Sequence, residues 1–160
     1  MRRRAQTARA VRAPPSLEVS LRVGDWKQLR AWALAVRYAV FVKEQGIPAN
    51  LEIDEQDALA VHVVALDPCG APLGTGRLLA DGHIGRMAVL RGARGQGIGA
   101  TLLHTLVAIA KSRGMQQLRL HAQLGAISFY EKEGFTAIGP QYEEAGILHR
   151  TMVRHLPSEV

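Results

Sequence analysis

The sequence is short of cysteine, of long apolar runs, and of acid in one critical stretch. A single cysteine, Cys69, excludes an intrachain disulfide and a thiolate-based metal site. It sits in Asp67-Pro68-Cys69-Gly70, a turn-like stretch, and reads as an incidental surface thiol. No run approaches the roughly 18 apolar residues of a membrane helix. No Asp or Glu occurs between Gly82 and Tyr130, while Arg86, Arg91, Arg94, Lys111, Arg113 and Arg119 fall in that span. Such a stretch suits a polyphosphate and offers nothing to a ribose diol.

What is present describes one domain. The chain has 160 residues, 48% of them hydrophobic, enough for a real core, and its mean hydropathy of zero fits a globular protein. The net charge of +6 comes mostly from the start: residues 1–12 carry Arg2, Arg3, Arg4, Arg9 and Arg12 and no acid. The rest holds 15 basic and 14 acidic residues. Ala13-Pro14-Pro15-Ser16 reads as a break, so residues 1–16 are expected to be a flexible basic tail and 17–156 the domain.

The most informative segment runs from Arg91 to Ala100, with glycines at 92, 95, 97 and 99. It follows an apolar strand-like run, Ile84 to Leu90, and opens a helix-like run, Ala100 to Lys111. Glycines at a strand-to-helix junction let backbone N–H groups approach an anion at the positive helix end. A nucleotide P-loop would need Lys and then Ser or Thr after the last glycine. Here Ile98, Gly99 and Ala100 follow Gly97. A dinucleotide fingerprint would need an acid about 20 residues on, where this chain has none.

Periodicity predicts the remaining elements. Leu17 to Val23 alternates as a strand. Asp25 caps a helix carrying Trp26, Leu29, Ala33, Val36, Val40 and Phe41, and Ala49 to Asp57 is a polar loop. Strands follow at Leu59–Leu66, Leu73–Leu79 and His83–Leu90, then a helix over 97–113 and a strand at Leu118–Ala122. A short helix at Gly125–Glu133 and strands at Phe135–Ile138 and Ile147–His155 close the chain. This order implies a mixed α/β sheet in which strands 83–90 and 118–122 are parallel neighbours joined by one crossover.

Arg94-Gly95-Gln96-Gly97-Ile98-Gly99 resembles the acyl-CoA signature of the GNAT N-acetyltransferases: Gln or Arg, two residues, Gly, one residue, Gly or Ala. The strand Ile84-Gly85-Arg86-Met87-Ala88-Val89 and the element Phe129-Tyr130-Glu131-Lys132-Glu133-Gly134-Phe135 also fit that family. Arg37, Val40 to Pro48, Glu52-Ile53-Asp54, Asp57 and Gly74-Thr75-Gly76-Arg77 resemble the small bacterial subgroup typified by ElaA and YjcF. The resemblance implies a mostly antiparallel sheet with a splayed parallel strand pair, flanked by helices. It implies acetyl transfer from acetyl-CoA to a primary amine of a small molecule or peptide, by direct attack in a ternary complex and with no metal. Cytoplasm is the default location. Neither a membrane nor a nucleic acid is expected as a partner, and a homodimer is admitted.

The same resemblance suggests roles. Tyr130 stands where the family commonly keeps a general acid for the departing thiolate. Met87, Ala88 and Val89 would offer backbone groups to the pantetheine arm, residues Arg94 to Gly99 would hold the pyrophosphate, and Gln123 would bond the arm. On the acceptor side the charge pattern, rather than the resemblance, points to Glu44, Glu52 and Asp54, in an acid-rich stretch that contrasts with the cationic cofactor half and suits a cationic amine. His149 is a candidate for lining the acceptor pocket, and His121 shares a strand face with Gln123. No residue stands out as general base. Two alternatives fit part of the pattern. One is a non-catalytic acyl-CoA sensor. The other is an N-acyl-homoserine-lactone synthase, whose family lacks the glycine-rich loop and the Phe-Tyr-Glu-Lys element.

Overall fold

The computed structural model describes residues 18–158, so the basic tail and Leu17 lie outside the described residues. β1 (Ser20–Gly24) leads into α1 (Trp26–Arg37). Asp25 caps α1 by accepting from the Gln28 amide, and Gln28 reciprocates with its side chain. Leu29, Ala33 and Val36 face inward at helical spacing. The helix does not stop at Arg37. It widens into a π-helical turn, Tyr38–Glu44, in which the Gln45 amide reaches back to the Val40 carbonyl. The expected polar loop is partly helical: it holds α2 (Ala49–Glu52) and the start of a 3-10 turn (Glu55–Leu59), which runs on to Leu59, so the next strand begins at Val61 rather than Leu59.

β2 (Val61–Leu66), β3 (Pro72–Leu78) and β4 (Ile84–Val89) complete a four-stranded antiparallel sheet in the order β1-β2-β3-β4. α3 (Ile98–Ser112) buries Ile98, Leu102, Leu103, Leu106, Val107 and Ala110 against it. Each of the Ile, Leu and Val side chains contributes about 1.5–3 kcal/mol of transfer free energy. β5 (Gln117–Gln123), α4 (Ile127–Lys132), β6 (Thr136–Glu144) and β7 (Ile147–His155) follow, and a second antiparallel sheet has the order β5-β7-β6.

The two sheets meet at one place. His83 and Arg119 form a single parallel bridge, and the Arg119 amide donates to the Gly82 carbonyl at 3.0 Å. Gly82 makes this contact possible: its φ is +92°, and a Cβ there would lie 2.4 Å from the Gln117 carbonyl oxygen. Beyond the bridge β4 and β5 have no ladder, so the parallel pair is splayed and their carboxyl ends border a gap. The expected fold class therefore holds.

Two strand details bear on the site. β4 carries a bulge, with Thr75 opposite Ala88 but Arg77 opposite Gly85, and Arg86 takes φ of +50°. β6 runs six residues past the end expected from sequence, with a register irregularity between Ile138 and Tyr142. Gly139 and Pro140, which lie just past the expected end, are residues that disfavour a regular strand. Here they form an irregularity that the strand passes through, at a φ of +73° for Gly139.

Candidate functional site

The loop between β4 and α3 has the geometry of an anion cradle. Gly97 caps α3 at φ +81°, ψ +8°, with no side chain to satisfy the helix start. The first helical bond is Thr101 N–H to the Gly97 carbonyl at 3.0 Å. Six consecutive amides, Gly95 to Ala100, therefore have no acceptor among the described residues. A Cβ at Gly95 or Gly97 would meet no protein atom within 4 Å, so the space over the loop is open. Ile98, only 3% exposed, anchors the loop in the core.

Arg94 is turned aside from this loop. Its Nη1 and Nη2 each bond Glu44 at 2.7 Å, and its Nε donates to the Val89 carbonyl at 2.9 Å. Arg94 in turn holds the Glu44 carboxyl below its ordinary pKa. The pair ties the π-helical turn to the end of β4. Along its β5-facing edge β4 has no strand partner at Met87, Ala88 and Val89, although the Val89 carbonyl is already taken by Arg94.

Glu52 and Asp54 are committed elsewhere. Arg37, 1% exposed, makes a two-pronged bond to Asp57, with Nη1 and Nη2 each 2.9 Å from a carboxylate oxygen. Its Nε pairs with Glu52. Arg77 spans Asp54 (2.7 and 2.9 Å) and Asp57 (2.8 Å). Arg86 donates to the Glu52 carbonyl at 2.9 Å and to Asp54 at 3.2 Å. Three arginines and three acids thus balance in a largely buried network. Burial pushes the Asp57 carboxyl up, but the Arg37 and Arg77 guanidiniums outweigh it and hold it low. The network also grips Arg86, which sits in the β4 bulge just before Met87.

Across the gap, Gln123 ends β5. Its amide makes a reciprocal pair with Gln45 from the π-helical turn, at 2.8 and 3.2 Å. Sequence reasoning missed Gln45, whose position depends on the widened turn. Tyr130 lies on α4, 9% exposed, edge-on to Phe129 and Phe135 at 5.0 and 5.9 Å between centroids. Its hydroxyl has no hydrogen-bond partner among the described residues, and burial raises its pKa to about 12. The phenol is therefore fully protonated at neutral pH.

β5 turns Leu118, Leu120 and Ala122 into the core and leaves His121 and Gln123 on the other face. On that face, Gln123 is directly opposite His149, and His149 is directly opposite Tyr142. Tyr142 was missed in the sequence because it lies past Gly139-Pro140. Four rings form a row: His83 to His121 at 5.6 Å, His121 to Tyr142 at 5.9 Å, and Tyr142 to His149 at 5.9 Å. Tyr142 Oη also bonds His121 Nδ1. Burial first, and then neighbouring His83, lower the His121 pKa. Among the described residues no metal-ligating cluster of three side chains converges, and no helix is long and apolar enough to cross a membrane.

Comparison with known proteins agrees with this geometry. An acetyltransferase (GNAT) domain profile matches residues 33–156. The chain is 36% identical over 126 residues to the uncharacterized N-acetyltransferase YjcF of Bacillus subtilis, covering 76% of this chain and 89% of that protein. An acyl-CoA N-acyltransferase structure from Pseudomonas aeruginosa superimposes with a TM-score of 0.77 at 29% identity, covering 86% of this chain and 99% of the other. Escherichia coli ElaA gives the same TM-score at 24% identity over 86% of this chain and 100% of its own, a likeness of fold.

Proposed function

The chain belongs to the GNAT acetyltransferase family and is an acyltransferase, and we propose that it moves an acetyl group from acetyl-CoA to a primary amine of a small molecule or peptide. The observation that carries this reading is the run of six unpartnered amides, Gly95 to Ala100, beside the unpaired edge of β4. Amides at a helix N-terminus with open space above them fit a pyrophosphate. The backbone of Met87, Ala88 and Val89 would receive the pantetheine arm like an added strand. Gln123 would exchange its bond to Gln45 for one to that arm.

Bound acetyl-CoA supplies an activated acetyl thioester. Tyr130 is the proton donor for the departing sulfur in this reading. Its raised pKa keeps the proton in place until negative charge develops next to it. Glu44 and Arg94 brace the rim, and Arg94 orients the end of β4 through the Val89 carbonyl. Glu52 and Asp54 act as positioning residues for the β4 bulge, through Arg86, rather than as free carboxylates for an amine. The reaction needs no metal, and the cytoplasm is its expected place.

Thiol release from acetyl-CoA, measured against a panel of primary amines, tests the reading. Amine-dependent release with formation of the N-acetyl product is expected. Tight acetyl-CoA binding with no transfer to any amine across pH 6–10 would refute it and leave an acyl-CoA sensor.

A further inference from the structure

Resting on that reading, we infer that His149 is the general base of the acceptor side, taking a proton from the incoming ammonium at Nε2. The backbone fixes the tautomer of this histidine. His149 Nδ1 lies 2.7 Å from the Ile147 carbonyl oxygen. A carbonyl only accepts, so Nδ1 must be the nitrogen that carries hydrogen. In the neutral ring Nε2 then holds a free lone pair, and it has no partner among the described residues. A backbone carbonyl that fixes one nitrogen and leaves the other basic is the arrangement a histidine base requires.

Position supports the same role. His149 is 8% exposed, so its ring is held rather than sampling solvent. The Tyr142 ring lies nearly parallel to it, at an interplanar angle of 18° with centroids 5.9 Å apart. Its cross-strand partner is Gln123, whose amide reaches over the gap between the splayed strands to Gln45. The base is thus one strand away from the residue expected against the pantetheine arm. The other histidines serve less well. His62 is 1% exposed and spends Nε2 on the Asp57 carbonyl. His121 Nδ1 faces the Tyr142 hydroxyl, which can donate as well as accept, so no backbone group fixes its tautomer. The charged and titratable groups facing the row are His83 and Arg119 from the β4–β5 junction, His121 on β5, Tyr142 and Glu144 on β6, and His149 itself.

The proton balance is simple. A protonated primary amine loses one proton to His149 Nε2. The freed nitrogen lone pair forms the new N–C bond to the acetyl carbonyl carbon, and the C–S bond breaks with its electron pair going to sulfur. The sulfur takes a proton from Tyr130, and the second proton leaving nitrogen replaces it. His149 returns its proton to solvent, so one proton is released per acetyl group transferred.

His149→Asn tests this, because the Asn amide can still donate to the Ile147 carbonyl while the base is deleted. Two measurements are needed. Nitrogen-15 NMR of the wild-type imidazoles above pH 8 should show His149 protonated at Nδ1 and bare at Nε2. The opposite tautomer would overturn the assignment. In thiol-release assays with acetyl-CoA and benzylamine, tyramine, putrescine and a glycyl peptide, the variant should bind acetyl-CoA within about threefold of wild type. With any amine the wild type uses, its kcat/KM at pH 7 should fall by roughly 10² to 10⁴, the range for a positioned base. The deficit should shrink steadily as pH rises and the amine deprotonates by itself. A variant with wild-type kcat/KM and pH profile, or with a deficit that does not change with pH, overturns the inference while leaving acetyl transfer standing. A wild type that acetylates none of these amines at any pH removes the acetyl-transfer reading and this inference with it.

Discussion

Replacing Asp57 by Asn would expose how much the buried ion network holds. Asp57 is 1% exposed and accepts from Arg37 at two oxygens and from Arg77 at one. Asn keeps the volume and one acceptor oxygen, but it removes the charge and turns the other oxygen into a donor facing a guanidinium. Breaking one partner out of a buried pair costs about 3–5 kcal/mol, because the remaining charge stays desolvated. Glu52 and Asp54 remain as counterions, which puts the expectation near the lower end. At about 2–4 °C per kcal/mol for a chain of this size, Tm should fall by roughly 6–12 °C. Glu44→Gln is the contrast. Its partner Arg94 has a side chain 40% exposed, and such a surface pair is worth about 1 kcal/mol or less. Thermal unfolding followed by circular dichroism measures both. An Asp57→Asn protein melting within about 2 °C of wild type would refute the reasoning, since that is the scale of a surface pair.

The other expectations concern catalysis and pH. Tyr130→Phe keeps the ring packed on Phe129 and Phe135, so acetyl-CoA should bind within about threefold of wild type while the transfer rate falls by roughly 10² to 10⁴. Wild-type kcat under conditions where chemistry limits turnover would return Tyr130 to a packing role. Asp54 is held at a pKa of about 2 by hydrogen bonding to Arg77, against an ordinary value of 3.8, with burial opposing the shift. A carboxyl depressed in the folded state adds stability above its unfolded pKa, and that stability is lost as pH falls through the folded value. Tm should therefore drop between about pH 4 and pH 2, and less steeply in Asp54→Asn. An equal slope in the two proteins would contradict this.

Much of the fold was legible because it rests on local signals. Asp25 marked the start of α1, where the structure adds Gln28 to complete the cap, and the apolar spacing of α3 and the alternation of β5 survived intact. The glycine-rich loop was legible for the same reason: its conformation is set by residues whose φ only glycine adopts readily. What was not legible depends on distant partners. Glu52 and Asp54 look like free loop acids until Arg37, Arg77 and Arg86 arrive from α1, β3 and β4. The π-helical turn that presents Glu44 and Gln45 leaves no periodic trace in so short a segment. Tyr142 was hidden because Gly139-Pro140 breaks a regular strand, yet tertiary pairing with β7 carries β6 through it. His149 was visible as a candidate, but its tautomer depends on the Ile147 carbonyl, which no pattern of side chains announces.

Calorimetric titration of acetyl-CoA into the wild-type and Gly97→Val proteins tests the central claim most directly. A Val side chain would enter the open space over the loop, where its Cβ would meet no protein atom within 4 Å, and would force a β-branched residue to a φ of +81°. The account predicts that the wild type binds and that the folded variant binds at least about tenfold more weakly, a loss of about 1.4 kcal/mol. A folded Gly97→Val protein with wild-type affinity would contradict it.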